Sequence, residues 1–170
     1  AALWSSAAPT AEAVLRARWR GRERALEIGC GVGLVGLAAL ARGMQVTFSD
    51  HLPQAIQLAL YNARRNGFST AHGARLDWRD LPEAPPAQPY SVILASDILY
   101  HRGSHDPVLE TVDRFLADDG VCWIGDPGRF NSREFLPAAS RRFRVRLQDQ
   151  EGNRVSVPRS AQYQMFVLQR

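Results

Sequence analysis

Lysine is absent from this chain: all 21 of its basic residues are arginine. So complete a replacement has no packing reason and reads as the mark of a GC-rich genome. Cysteine is scarce as well. Two residues, Cys30 and Cys122, exclude a disulfide scaffold and fit a reducing compartment. No apolar run approaches the ~20 residues that a membrane-spanning helix needs. No signal peptide or lipidation motif is visible, so the expected setting is the cytoplasm. The chain opens on Ala1 rather than methionine, which reads as an internal start with an amino-terminal piece removed. Neither sign of charge dominates: 21 basic against 17 acidic residues leave +4, with an isoelectric point near 9.7. That excess permits acidic partners without requiring nucleic acid.

What is present suffices for a core. At 170 residues the chain reads as one domain, and folding at this size removes roughly 70% of the unfolded surface from water. Hydrophobic residues at 45% and charged ones at 22% argue against disorder. Strand and helix signals then alternate. A first helix is expected over 9–18 with Pro9 in its first turn. Strands are expected over 25–28 and 121–124, both buried, over 45–48, more weakly over 74–76, and over 91–95, a continuous apolar run covered on both faces. Helices are expected over 34–42, 53–66 (with Gly67 closing the end) and after Asp106, read as an N-cap ahead of Pro107. The stretch 82–89 is a proline-rich loop. Phe143, Val145 and Leu147 alternate with arginines, and 163–168 resembles a last strand, so the two read as an edge hairpin. Repeated βα units imply an α/β fold: a doubly wound, Rossmann-like, mostly parallel sheet with helices on both faces and an antiparallel carboxyl-terminal hairpin strand.

The chemistry concentrates after the first strand, in Glu27-Ile28-Gly29-Cys30-Gly31-Val32-Gly33. Glycines there let the backbone turn sharply and a ligand lie against it. Asp50 ends the next strand, where a doubly wound sheet places the carboxylate that grips a ribose diol roughly 20 residues on. A nucleoside-containing cofactor is implied. Gly31-Val32-Gly33-Leu34-Val35-Gly36 also matches the dinucleotide fingerprint, a weak signal alone. Glu27 at the loop mouth would repel a pyrophosphate and favour a cation. S-adenosylmethionine carries an ammonium and a sulfonium and no phosphate, so it fits better than a nicotinamide dinucleotide. A plain glycine turn without ligand remains the bland alternative.

On these residues the chain resembles class I, seven-β-strand S-adenosylmethionine-dependent methyltransferases, whose first motif has the form acidic-x-Gly-x-Gly-x-Gly. More narrowly it resembles the protein-lysine methyltransferase branch. Leu3-Trp4-Ser5-Ser6-Ala7 is similar to that branch's tryptophan segment, and Asp97-Ile98-Leu99-Tyr100 matches its DxxY motif. Ile124-Gly125-Asp126-Pro127-Gly128-Arg129 is similar to a segment of the lysine methyltransferases of the electron-transfer flavoprotein β subunit. The likeness covers 3–135 and fades beyond. It implies seven strands and a single methyltransferase domain. We expect 1–20 to be an amino-terminal helical segment, 21–135 the cofactor-binding core and 136–170 the edge hairpin.

The resemblance also implies roles. Glu27 and the backbone of Gly29, Cys30, Gly31 and Gly33 would hold the methionine end, with Asp50 on the ribose and His51 flanking the adenosine. Asp77 and Trp78 would hold the adenine, Ala95 would line the cofactor from the fourth strand, and Trp4 would close over it. Trp78 as a core anchor and Trp4 as terminal packing are the bland readings. Asp97 and Tyr100 would bind and orient the acceptor, which for lysine must lose its proton before attack because its pKa lies near 10.4. Asp97 as a helix cap is the alternative. Asp126 and Arg129 would shape the substrate entrance, or simply form a structural turn.

The expected activity is a bacterial, S-adenosylmethionine-dependent N-methyltransferase acting on a protein lysine. The alternatives are a small pyridine or amine as acceptor, a nicotinamide-dependent reductase and a non-catalytic binding module. Absence of lysine acquires a second reading here, avoidance of self-modification. No metal is expected, since His101 and His105 lack a third ligand. The cysteines read as reduced and buried, and the arginine run 141–146 as a solvated edge strand.

Overall fold

The structure is a computed structural model that describes residues 3–170; the start read at Ala1 lies outside them. Helix α1 (Ala7–Arg16) opens the chain, two residues ahead of the expected start. Then follow β1 (Arg24–Ile28), α2 (Leu34–Ala41), β2 (Gln45–Asp50), α3 (Pro53–Arg65), β3 (His72–Arg75) and β4 (Tyr90–Ser96). A short 3₁₀ turn (Arg102–Ser104) leads into α4 (His105–Phe115). The second half is β5 (Leu116–Asp126), α5 (Ser132–Ser140), β6 (Arg144–Gln148), β7 (Arg154–Val155) and β8 (Gln164–Gln169). None of the described helices is long and apolar enough to cross a membrane.

All eight strands join one sheet in the order β3-β2-β1-β4-β5-β8-β6-β7. The first five are mutually parallel, and β8 inserts antiparallel against β5. The sheet thus holds one strand more than expected. The pair read as an edge hairpin does form, β6 against β8, but the two-residue β7 takes the outer position beside Leu147 and Gln148. A second difference concerns α4. Asp106 lies inside its first turn, Ser104 holds the N-cap position, and neither caps through its side chain.

Two apolar layers hold the sheet. Ala25, Val46, Phe48, Val92 and Leu94 pack under α1, α2 and α3. Leu26, Ile28, Ile93, Cys122, Ile124 and Phe166 pack under α4 and α5. Alternation along β1 therefore sends Leu26 to one layer and Ala25 and Glu27 to the other. At its centre the sheet is buried on both faces, which is why these strands read as continuous apolar runs. Helix α1 seats on β5 through Gly125: a Cβ there would lie 1.8 Å from Thr10 Oγ1.

Candidate active site

The carboxyl ends of β1, β2, β4 and β5 bring the chemistry-bearing residues to one edge, as the crossover rule demands. At β1 the chain turns through Gly29, Gly31 and Gly33, all at positive φ, and enters α2. Glu27 is buried, and its Oε2 accepts the Gly36 N–H at 2.9 Å. Its carboxylate therefore plugs the first turn of α2 rather than standing at the loop mouth. Burial pushes Glu27 up to about 8; the N–H groups of Gly36 and Val35 pull the other way, and Asp50 adds to the rise. The closeness demands glycine at 36: a Cβ would meet Phe48 Cε1 at 2.4 Å and Glu27 Oε2 at 2.5 Å.

Asp50 ties the second strand to the same loop. Its Oδ2 accepts the Gly31 N–H at 3.2 Å, its Oδ1 accepts the Leu52 N–H at 3.0 Å, and His51 Nδ1 stands 3.1 Å from Oδ1. Oδ2, with a single donor, retains an acceptor position for a hydroxyl. Trp78 is buried against Gly29, whose Cβ, if present, would lie 3.3 Å from the indole. Its Nε1 has no partner among the described residues, so Trp78 is both a core anchor and a free donor. Asp77 beside it closes its own turn, accepting the Arg79 N–H at 2.9 Å. On the outer side of Gly31 nothing lies within 4 Å of a built Cβ. An idle donor, two acidic groups and an open glycine face fit a cationic nucleoside such as S-adenosylmethionine. Cys30 and Ala95 contribute only backbone, for both side chains are buried in the apolar layers. Burial also pushes the Cys30 thiol up, so it is no nucleophile.

Asp97 directly follows β4 at φ +59, the left-handed region, where Asp is tolerated and where functional residues gather. Its carboxylate is buried and doubly occupied. Oδ2 accepts the Ser6 N–H at 2.8 Å and the Ser6 hydroxyl, while Oδ1 takes Arg129 Nη2. A free carboxylate awaiting an ammonium was expected; the structure gives it to Arg129 and to the start of α1. Tyr100 is 42% exposed, and its carbonyl accepts Asn131 Nδ2 at 2.9 Å, linking the two flanking loops.

The entrance differs from expectation at Asp126. This residue is fully buried, and its Oδ1 takes the N–H of Gly128 at 2.8 Å and of Arg129 at 2.9 Å. It holds the turn from below, as the structural-turn reading has it, whereas the Arg129 side chain is partly exposed. Trp4 is 59% exposed. Phe130, 73% exposed beside Arg129, adds an apolar rim. Two residues escaped the sequence reading. Ser6 had no local signal, its partner being 91 positions away. Gly36 stood in the dinucleotide fingerprint, where the third glycine serves close helix–strand packing. Among the described residues no group of three metal-ligating side chains occurs.

Residues 2–141 match a family described as lysine methyltransferase. A protein N-lysine methyltransferase of Danio rerio is 30% identical over 72% of this chain and 58% of its own length. A histidine protein methyltransferase homolog of Dictyostelium discoideum is 32% identical over 60% of this chain and 34% of its own. The chain thus spans less than two thirds of these relatives. Among solved structures, a TehB-like methyltransferase from Corynebacterium glutamicum superposes with a TM-score of 0.73 at 20% identity, covering 95% of this chain and 87% of that one. That likeness speaks for the fold alone.

Proposed function

Since the chain belongs to the lysine methyltransferase family, we propose that it transfers a methyl group from S-adenosylmethionine to a lysine side chain of a protein. The observation that carries the reading is the buried Asp97, set at the end of β4 on the same sheet edge as the Glu27–Asp50 glycine loop. S-adenosylmethionine supplies the electrophilic methyl on a sulfonium, which leaves as the neutral thioether. Everything else falls to this chain's residues. Glu27 and the loop backbone favour a cationic group, Asp50 offers acceptors to hydroxyls, and Trp78 offers an apolar wall with one donor.

Asp97 draws the acceptor's ammonium to the edge and orients its nitrogen, with Tyr100 alongside. The proton leaves to water, the lone pair forms the new C–N bond, and alignment rather than acid–base strength sets the rate. Two buried, reduced cysteines support a cytoplasmic setting. The open edge, rimmed by Phe130 and Tyr100, supports a protein acceptor.

The test uses methyl-tritiated S-adenosylmethionine and a lysate of the source organism lacking the gene. We expect a labelled protein band that Asp97→Asn removes, with label on lysine after hydrolysis. Label on histidine or arginine would correct the acceptor, and label confined to small molecules would overturn the protein substrate.

A further inference from the structure

Two polar atoms near the acceptor end are buried without a partner among the described residues: Arg129 Nε and Asp126 Oδ2. Buried groups of this kind are uncommon and call for a reason. The turn's own geometry gives none. Asp126 Oδ1 serves the Gly128 and Arg129 N–H groups and, at 3.4 Å, Gln164 Nε2, while Oδ2 is idle. Nor can the backbone shift to serve it. Gly128, at φ +85, is pressed so close to Gln162 that a Cβ would lie 2.5 Å from its backbone, and its carbonyl accepts the Ala161 N–H at 2.9 Å. The partly exposed group at this turn is the Arg129 side chain, 30% exposed and paired at its tip with Asp97.

We propose that Arg129 stands in for the substrate cation, neutralising Asp97 until a side-chain ammonium enters and then turning onto the idle Asp126 Oδ2. The proposal rests on the reading of Asp97 as the acceptor-binding carboxylate. Charge drives the exchange one for one. A buried carboxylate stripped of its cation is costly, so Arg129 stays on Asp97 until another cation replaces it. After the exchange Asp97 faces the ammonium, Asp126 gains its missing donor, and Ser6 keeps the Asp97 carboxylate in place. Arginine suits the part because its guanidinium stays protonated and cannot compete as the nucleophile. A neutral acceptor offers Asp97 no charge in return and leaves Arg129 where it is, so the pair selects for cationic side chains.

The test titrates n-butylammonium, a mimic of the lysine side chain, into the full chain saturated with S-adenosylhomocysteine, with sodium chloride at matched ionic strength as control. The ¹⁵N resonance of Arg129 Nε–Hε, assigned by its loss in Arg129→Gln, should shift saturably with the amine and not with salt. Arg129→Gln, which removes the competitor, should bind n-butylammonium about 10-fold tighter, and Arg129→Lys should return the affinity towards wild type. Asp126→Asn keeps the Oδ1 acceptor of the turn but removes the landing place, and should weaken binding about 5-fold. The double variant should equal Arg129→Gln alone, because without Arg129 the landing place is irrelevant. Weaker binding by Arg129→Gln, or effects that simply add, would overturn the exchange. Absence of amine binding in every variant would overturn it too, along with the acceptor role of Asp97. Labelled methyl transfer to a protein would still be read separately.

Discussion

Glu27 carries a carboxylate that burial pushes up to about 8, so at neutral pH the free protein holds it largely protonated. On the proposed reading, in which Glu27 faces the cofactor's cationic end, the ammonium of a bound S-adenosylhomocysteine would favour the ionised form and expel that proton. Calorimetry near pH 7 in two buffers of different ionisation heat should therefore register proton release approaching one per site, with affinity rising from pH 6.5 to 8. Glu27→Gln should abolish the release and weaken binding about 10-fold or more. Unchanged binding heat differences in that variant would remove Glu27 from the cofactor site. Glu27 and Asp50 were legible in the sequence because strand ends and glycines mark their places locally. What Glu27 does with its carboxylate was not legible. Its partner at Gly36 depends on how closely α2 approaches β1, and only three-dimensional packing sets that distance. Ser6 and Arg129 on Asp97 are hidden for the same reason, being pairs made by topology across 91 and 32 positions.

At the scale of elements, α2 is tied to the sheet by an absence of side chain. Gly36→Ala would force a methyl against Phe48 and the Glu27 carboxylate, an overpacking that costs about 2 kcal/mol. We expect its urea midpoint to fall and its melting temperature to drop by roughly 6 °C. Gly31→Ala is the contrast: nothing lies within 4 Å of its Cβ, so the penalty is backbone strain at φ +52, about 1 kcal/mol. Its larger effect should appear as lost S-adenosylhomocysteine affinity. Equal destabilisation by the two variants would contradict this division. The central strands β1 and β4 were legible because each is largely an apolar run buried on both faces. The first half of β5 was not: Asp118, Asp119 and Gly120 are poor strand formers, and the stretch extends only because Leu116 pairs with Tyr90. Strand β7 is two residues long and owes its existence to the exposed edge of β6.

For the whole molecule, the two buried groups give stability opposite slopes against pH. His105 is buried, packs edge-on to Phe135 with ring centroids 5.4 Å apart, and leaves Nε2 without a partner among the described residues. Burial lowers its pKa below 6.5, against the hydrogen bond to Leu99 and the charges of Glu134 and Asp106 that raise it. Between that lowered value and 6.5 the unfolded chain binds more protons, so this contribution rises with pH and is complete above about 6.5. Glu27 acts in the other sense. From 4.5 to about 8 the folded chain binds more protons, so its contribution falls as pH rises. Above 6.5 only the Glu27 slope remains of the two, and the free protein should melt at progressively lower temperature from pH 6.5 to 8. Saturating S-adenosylhomocysteine counters that slope, since it stabilises the ionised carboxylate and binds the folded chain alone. The gap between free and bound melting temperatures should therefore widen with pH over this window, and Glu27→Gln should hold it constant. A gap that narrows instead would mean that the ligand prefers Glu27 protonated, and the cationic end of the cofactor would then have to be held by other residues of the carboxyl edge.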